Sequence, residues 1–260
     1  MMQTERRNYL IAALLKERPE YSEIEIPERE EEQKALLRSL LNLRPPAPVT
    51  DEFLTIQDAY LQEETRRKGI TNVHDLQPLQ PGLYLWQGDI TTLKCDAIVN
   101  AANAGMLGCF CPNHGCIDNA IHTYAGVQLR LACAEFMRRQ GCWEETGKAR
   151  ITPAYNLPSR YILHTVGPVI AGRVRKSQEE QLASCYRSCL ALAAEKGVES
   201  IAFCCISTGE FHFPNRRAAE IAVRTVRGFR AQTNSKMEVI FNVFREQDFA
   251  IYRRLLAEYP

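Results

Sequence analysis

The spacing of apolar positions changes once along the chain, at about residue 80. Before that point the runs have helical period. Thr4 through Leu15 forms a short amphipathic pattern, and Glu28 through Leu43 repeats leucine at Leu37, Leu40 and Leu41. Pro45, Pro46 and Pro48 stop that run, and Thr50 then stands as a helix N-cap with Asp51 and Glu52 in the first turn. The helix it opens is expected to reach Gly69. From about residue 82, short apolar runs alternate with helical patterns. Strands are expected at Leu83–Gln87, Ala97–Asn100, Arg150–Pro153, Tyr161–Thr165, Ile201–Cys205 and Val239–Val243. Helices are expected at about 118–139, 178–196, 215–231 and 245–258. Short apolar strands separated by helices predict a three-layer α/β/α sandwich around a mixed, largely parallel sheet. Residues 1–80 then form an N-terminal helical extension docked on a main domain, 81–260. No internal repeat or low-complexity tract interrupts the pattern.

Composition narrows the setting. The chain has 260 residues, 45% hydrophobic and 24% charged, enough to bury a full core. A net charge of +1 argues against a partner held through nucleic-acid phosphates. No run approaches the roughly 20 apolar residues of a membrane span. The polar Met1–Asn8 stretch and the short Tyr9–Leu15 run, ended by Lys16, Glu17 and Arg18, lack a signal core. The expectation is a cytoplasmic protein, monomeric, with no nucleic acid or membrane partner. All ten cysteines lie between Cys95 and Cys205, which in that compartment reads as buried thiols and a metal site, not a disulfide frame. Cys133, Cys185, Cys189, Cys204 and Cys205 fall in helical or strand patterns and are expected in the core. Trp86 and Trp143 are likewise expected to pack.

One stretch carries unusual chemistry. Cys109-Phe110-Cys111-Pro112-Asn113-His114-Gly115-Cys116-Ile117-Asp118-Asn119 concentrates thiols, an imidazole and a carboxylate. Cys109, His114 and Cys116 would give a tetrahedral zinc ion three ligands and leave one position open, the pattern of a catalytic site. A contribution from Cys111 would close the set, although two thiolates two residues apart make a tight bite. The other reading of the metal is that it only pins the loop. Asp118, two residues past the last ligand, is an acid/base candidate.

Three polar loops follow strands and, in a parallel sheet, open on one side of the domain, where ligands bind in such folds. Gly88-Asp89-Ile90 offers a carboxylate that can accept from an exocyclic amine or instead cap a turn. Asn100-Ala101-Ala102-Asn103 offers amides suited to ribose hydroxyls, or turn chemistry. Ser207-Thr208-Gly209-Glu210-Phe211 resembles an anion nest ahead of a helix opened by Pro214. His122, one turn past Asp118, reads as a packed or capping residue turned away from the loop. His164 reads as core, and His212 as either a pocket or a surface residue.

Together, Gln87-Gly88-Asp89-Ile90, Val99-Asn100-Ala101-Ala102-Asn103, Ile117-Asp118-Asn119-Ala120-Ile121-His122, Thr146-Gly147-Lys148-Ala149 and Tyr161-Ile162-Leu163-His164-Thr165-Val166-Gly167-Pro168 resemble a macrodomain over roughly residues 82–258. The commoner hydrolytic macrodomains carry a glycine run where this chain has Gly108 through Cys116. That departure resembles the zinc-dependent subclass, related to the MacroD-type macrodomains, whose members also carry an N-terminal helical extension.

The resemblance implies a hydrolase that removes ADP-ribose from mono-ADP-ribosylated proteins, cutting at C1″ of the distal ribose, with an ester to an acidic side chain as the expected linkage. It implies that Asp89 holds the adenine amine, with the Ile90 N–H near the phosphates. Asn100 and Asn103 would serve the ribose, and Ser207, Thr208, Gly209, Glu210 and Phe211 the diphosphate. It implies Zn2+ on Cys109, His114 and Cys116, and catalysis by Asp118 and Asn103. The rival readings are an ADP-ribose-binding reader without turnover and an O-acyl-ADP-ribose deacylase.

Overall fold

In the computed structural model, which describes residues 1–257, the apolar runs become elements of the expected kind. Three helices come first: α1 (Gln3–Lys16), α2 (Glu30–Leu43) and α3 (Asp51–Lys68). The Thr50 hydroxyl accepts from the Phe53 N–H at 3.1 Å, satisfying a donor that the first turn of α3 would otherwise leave unpaired. The chain then alternates through β1 (Thr71–Asn72), β2 (Leu83–Gln87), β3 (Leu93–Lys94), β4 (Ala97–Ala102), α4 (Ile117–Ala125), α5 (Val127–Gln140), β5 (Ala149–Pro153) and β6 (Tyr161–Val166). It ends with α6 (Lys176–Glu195), β7 (Ser200–Phe203), α7 (Asn215–Thr233), β8 (Glu238–Val243) and α8 (Glu246–Ala257). Residue 258 of the last expected helix lies outside the described residues.

The main sheet has six strands in the order β2-β8-β7-β4-β6-β5. All neighbours are parallel except β5, which runs antiparallel to β6. Helices cover both faces, so the central strands bury successive residues instead of alternating. Ile98, Val99, Ile162, Leu163, Ile201 and Ala202 are all fully buried. The order places β4 between β6 and β7, so the chain leaving β4 emerges at the middle of the sheet's carboxyl edge.

Two differences from the sequence reading have clear causes. The single helix expected over 118–139 is two helices, broken at Gly126, whose φ of 96° and ψ of 173° belong to a region that only glycine occupies comfortably. The strand expected to run to Cys205 ends at Phe203, its last pairing position against β8 and β4. Beyond it the chain turns, with the Thr208 N–H donating to the Cys205 carbonyl and Ser207 at a positive φ of 66°.

α1, α2 and α3 close around their own apolar cluster, including Leu10, Ile11, Leu37, Leu40, Phe53 and Leu61. Val127 of α5 belongs to this cluster, and Tyr124 of α4 packs against both it and the main core. No helix among the described residues is long and apolar enough to cross a membrane.

A Cβ at Gly126 would lie 2.6 Å from Gln128 Oε1 and 2.7 Å from Gln57 Nε2, at a φ that an L side chain resists. Gly126→Ala is therefore expected to destabilise the fold by about 1–3 kcal/mol. Urea unfolding followed by circular dichroism measures this, and an unchanged midpoint would contradict it.

Candidate active site

The site is organised by a carboxylate out of water. Asp118 lies in the first turn of α4 and is 5% exposed. Asn100, at an inward-facing position of β4, donates its amide to Asp118 Oδ1 at 2.8 Å. Asn103, just past the end of β4, donates to Asp118 Oδ2 at 3.3 Å. Burial raises the Asp118 pKa to about 6, with the Asn100 hydrogen bond and the Arg130 charge opposing the rise.

Asn100 is itself wholly buried, and its amide also meets His164 Nδ1 at 3.2 Å. The amide is therefore spent inside the protein rather than offered to a ribose hydroxyl, because β4 points this residue into the core. His164 is in the core as expected, with Nε2 2.9 Å from the Thr152 hydroxyl on β5. Since Nδ1 accepts from Asn100, Nε2 carries the proton. Burial pushes the His164 pKa down to about 3, which keeps the ring neutral.

His122 is packed, as expected, and shares a face with Asp118. On α4 a separation of four residues returns to the same face, and its Nε2 stands 3.6 Å from Asp118 Oδ1. The ring is pinned beneath Gly108, where a Cβ would come within 2.7 Å of it, and Gly108 adopts a φ of 83°. Burial, followed by the neighbouring His164 and Arg130, pushes its pKa well down. Neither ring nitrogen has a hydrogen-bond partner among the described residues. Sequence spacing held this signal, as an i, i+4 pair with Asp118. Arg130 carried no such signal: it donates from α5 to the carbonyls of Leu107 at 2.7 Å and Leu41 at 2.9 Å, and also to that of Arg44.

The loop from Cys109 to Cys116 lies directly before α4. Ligand atoms of Cys109, His114 and Cys116 all come within 4.8 Å of one another, and Cys111 is exposed and outside the group. Cys109 Sγ and His114 Nδ1 are 3.5 Å apart. A tetrahedral zinc ion with ordinary bond lengths would set such a pair about 3.6 Å apart. Burial pushes the Cys116 thiol up to about 12; the Asn119 N–H opposes this and the neighbouring Cys109 adds to it. A coordinating cation would hold the Cys116 thiol as the thiolate. The donor set therefore suits zinc. A second close group, His122, Cys133 and His164, is wholly buried, and both nitrogens of His164 are already engaged. It belongs to the core.

The other loops converge on the same edge. Asp89 caps the turn after β2: its Oδ1 accepts from the Thr91 N–H at 3.0 Å and the Thr91 hydroxyl at 2.6 Å. Its Oδ2 accepts from Lys68 of α3 at 3.0 Å, and the Lys68 ammonium lies 3.4 Å above the Tyr124 ring. The Ile90 side chain is in the core, which leaves only its backbone for a ligand. In the loop after β7, Ser207 is buried, Thr208 half-buried, and Gly209 and Glu210 exposed. The N–H groups of Gly209 and Glu210 meet no acceptor among the described residues, so they are available to an anion. Phe211 packs against Met106 and Val166 beside the β4 loop. Glu210 reaches across to the metal-type loop, with Oε1 3.5 Å from His114 Nε2. His212 is an exposed loop residue. Trp143, expected to pack, is 74% exposed and stands over Gly105 at the rim beside Asn103.

Removing the Asn100 amide would leave a buried carboxylate oxygen without its strongest donor. Asn100→Ala is expected to cost about 1–3 kcal/mol of stability, read from denaturant unfolding at neutral pH. Wild-type stability in that variant would show that Asp118 does not depend on this bond.

A family model described as the Macro domain matches residues 99–222. A Protein-ADP-ribose hydrolase of Treponema medium is 58% identical over 261 residues, covering 99% of this chain and 100% of that protein. One of the same description from Staphylococcus aureus (strain MRSA252) is 52% identical, covering 95% of this chain and 94% of that protein. Among solved structures, a Trypanosoma brucei macrodomain in complex with ADP-ribose superposes with a TM-score of 0.65 at 32% identity, covering 84% of this chain and 94% of that one.

Proposed function

Because the chain belongs to the macrodomain family, we propose that it is a zinc-dependent protein-ADP-ribose hydrolase, acting on mono-ADP-ribose esterified to acidic side chains. The observation that carries the reading is a buried carboxylate, Asp118, in the first turn of α4, held at both oxygens by amides. The three-donor group ends two residues before it. A module that only reads ADP-ribose needs neither feature. The ADP-ribose would lie along the carboxyl edge of the sheet, with adenine toward Asp89 and Ile90 and the diphosphate on the Ser207–Phe211 loop. The distal ribose would reach Asn103.

Asn103 is suited to hold the sugar, since its side chain already spans the Gly108 carbonyl and Asp118 at the end of β4. Asp118 orients a water toward C1″ and takes its proton as the new C1″–oxygen bond forms. The C1″–oxygen bond to the modified side chain breaks, and a carboxylate leaves without needing a proton. Asn100 fixes Asp118 Oδ1, so the carboxylate keeps one orientation through the cycle. Cys109, His114 and Cys116 would hold zinc, which supplies a Lewis acid at the distal ribose when bound. Cys111 is not needed for this.

Two measurements test the reading. Asp118→Ala is expected to lower the rate of ADP-ribose release from a modified protein by about 10²–10⁴-fold with ADP-ribose binding retained, and full activity would remove Asp118 from the mechanism. A chelator is expected to abolish release and added zinc to restore it. Release indifferent to chelator would sink the zinc assignment, and no release in any condition would sink the enzyme reading. Cys111→Ser is expected to keep full zinc content, measured by elemental analysis; loss of the metal there would mean a closed four-ligand site.

A further inference from the structure

The loop that brings Cys109, His114 and Cys116 together has little structure of its own. It begins after Gly108, contains Pro112, and holds Asn113 at a positive φ of 54°. Among the described residues the backbone bond internal to it, from the His114 N–H to the Cys111 carbonyl, is 3.3 Å long. Its shape is fixed from outside, by one face of α2 in the N-terminal extension.

Arg38 is the centre of that face. Its guanidinium donates to the His114 carbonyl at 2.9 Å, the main-chain oxygen of a ligand residue. It also forks onto Asn119 Oδ1 at 2.8 and 3.2 Å. Asn119 is fully buried, and its own amide donates to the Cys111 carbonyl at 3.0 Å and the Cys109 carbonyl at 3.5 Å. One turn along α2, Asn42 accepts from the Asn113 N–H at 3.0 Å and donates to the Thr123 hydroxyl of α4 at 2.9 Å. The next residue after Arg38, Ser39, accepts from the Asn113 amide at 2.7 Å. Helix α2 thus grips the loop at Asn113 and His114 directly and at Cys109 and Cys111 through Asn119.

We propose that α2 is a working part of the metal centre: Arg38 and Asn42 hold the 109–116 loop in its ligating shape, and retention of zinc depends on them. The proposal rests on the zinc assignment above. The contacts exceed what docking requires, because α1, α2 and α3 already bury an apolar cluster with Val127. Arg38 instead aims all its bonds at the loop and at the residue that braces it. A guanidinium can hold an amide oxygen and a carbonyl at once because its donors form a rigid planar fork. Lysine keeps the charge but has no fixed fork, so it matches this pair of acceptors less well. Partners that orient ligands from behind typically change metal affinity by about 10–100-fold when lost.

The test uses the full chain loaded with zinc and challenged with excess EDTA, with release followed by a colorimetric indicator. Arg38→Ala is expected to release zinc about 10–100-fold faster than wild type, Asn42→Ala also faster, and Arg38→Lys at an intermediate rate. Gln33→Ala serves as the control: it removes the 2.9 Å bond from Arg7 that ties α1 to α2 and touches nothing in the loop. It is expected to release zinc at the wild-type rate. ADP-ribose affinity, measured by calorimetry, is expected to stay within twofold in Arg38→Ala, which shows that the domain and its nucleotide end are intact. Unchanged release in Arg38→Ala would overturn the proposal while leaving the zinc assignment standing. Equal acceleration in Gln33→Ala, or loss of ADP-ribose affinity together with zinc, would overturn it in favour of general undocking. A wild-type chain that holds no zinc would overturn the assignment itself, and this proposal with it.

Discussion

Keeping a carboxylate in the core of an α/β sheet is costly, and the centre of this protein is arranged around meeting that cost. An isolated buried charge would be driven to its neutral form. Asp118 is supplied with donors from two places on one strand end, Asn100 inside β4 and Asn103 just past it. The demand then propagates. Asn100 also meets His164 on β6, its register partner across the strand pair, and His164 meets Thr152 on β5. A line of buried polar groups therefore crosses three strands, and each member is held by the next. Such a line tolerates one tautomer and one set of rotamers, because a partner lost anywhere leaves a buried polar group unpaired.

The same constraint explains the geometry at the chain's turning points. The carboxylate must enter from the first turn of α4, so α4 has to begin immediately after the 109–116 loop. His122, one turn later, is then forced against Asp118 on one side and the Gly108 backbone on the other. Only a glycine at positive φ lets the chain pass that close to the ring. Arg130 ties the result together, since its guanidinium reaches the carbonyls of Leu107 ahead of the loop and of Leu41 at the end of α2.

Much of this was legible in the sequence, for reasons that vary by element. Strand positions followed from apolar runs because a parallel sheet covered on both faces buries consecutive residues, as in Ile98-Val99 and Ile162-Leu163. The Thr50 cap was legible because its signal is local. Cys109, His114 and Cys116 stood out because their spacing is short and their chemistry rare. What escaped depends on orientation or long range. An asparagine at the end of a strand gives no sign of which way its amide turns, so Asn100 was assigned to a ribose and points into the core. The joint at Gly126 was hidden because the helical period continues through it. Arg38 and Arg130 carry no local signal, and apart from Leu107 their partners lie 76–89 residues away in the chain. Trp143 shows the opposite failure: hydrophobicity argued for burial, whereas the loop after α5 leaves its ring at the rim.

The extension reaches the candidate site at two places, and this changes how the helical segment is understood. Lys68 of α3 reaches Asp89 at the turn after β2, while α2 reaches the loop ahead of α4. The sheet by itself offers strand ends: backbone N–H groups, amides and a carboxylate, all anchored by the ladder. It offers nothing to stiffen an irregular loop rich in thiols, and such a loop cannot lean on a strand for its carbonyls. A helix laid alongside can, because side chains at i, i+1 and i+4 of α2 (Arg38, Ser39 and Asn42) present a donor fork, a hydroxyl and an amide to one side. The bridge from Glu210 to His114 then joins that loop to the anion-type loop on the far side. The site is therefore shaped partly by the sheet and partly by the extension. A chain shortened to the apolar core of the sheet would keep the strand-end loops but lose the side chains that shape the wall beside Asp118.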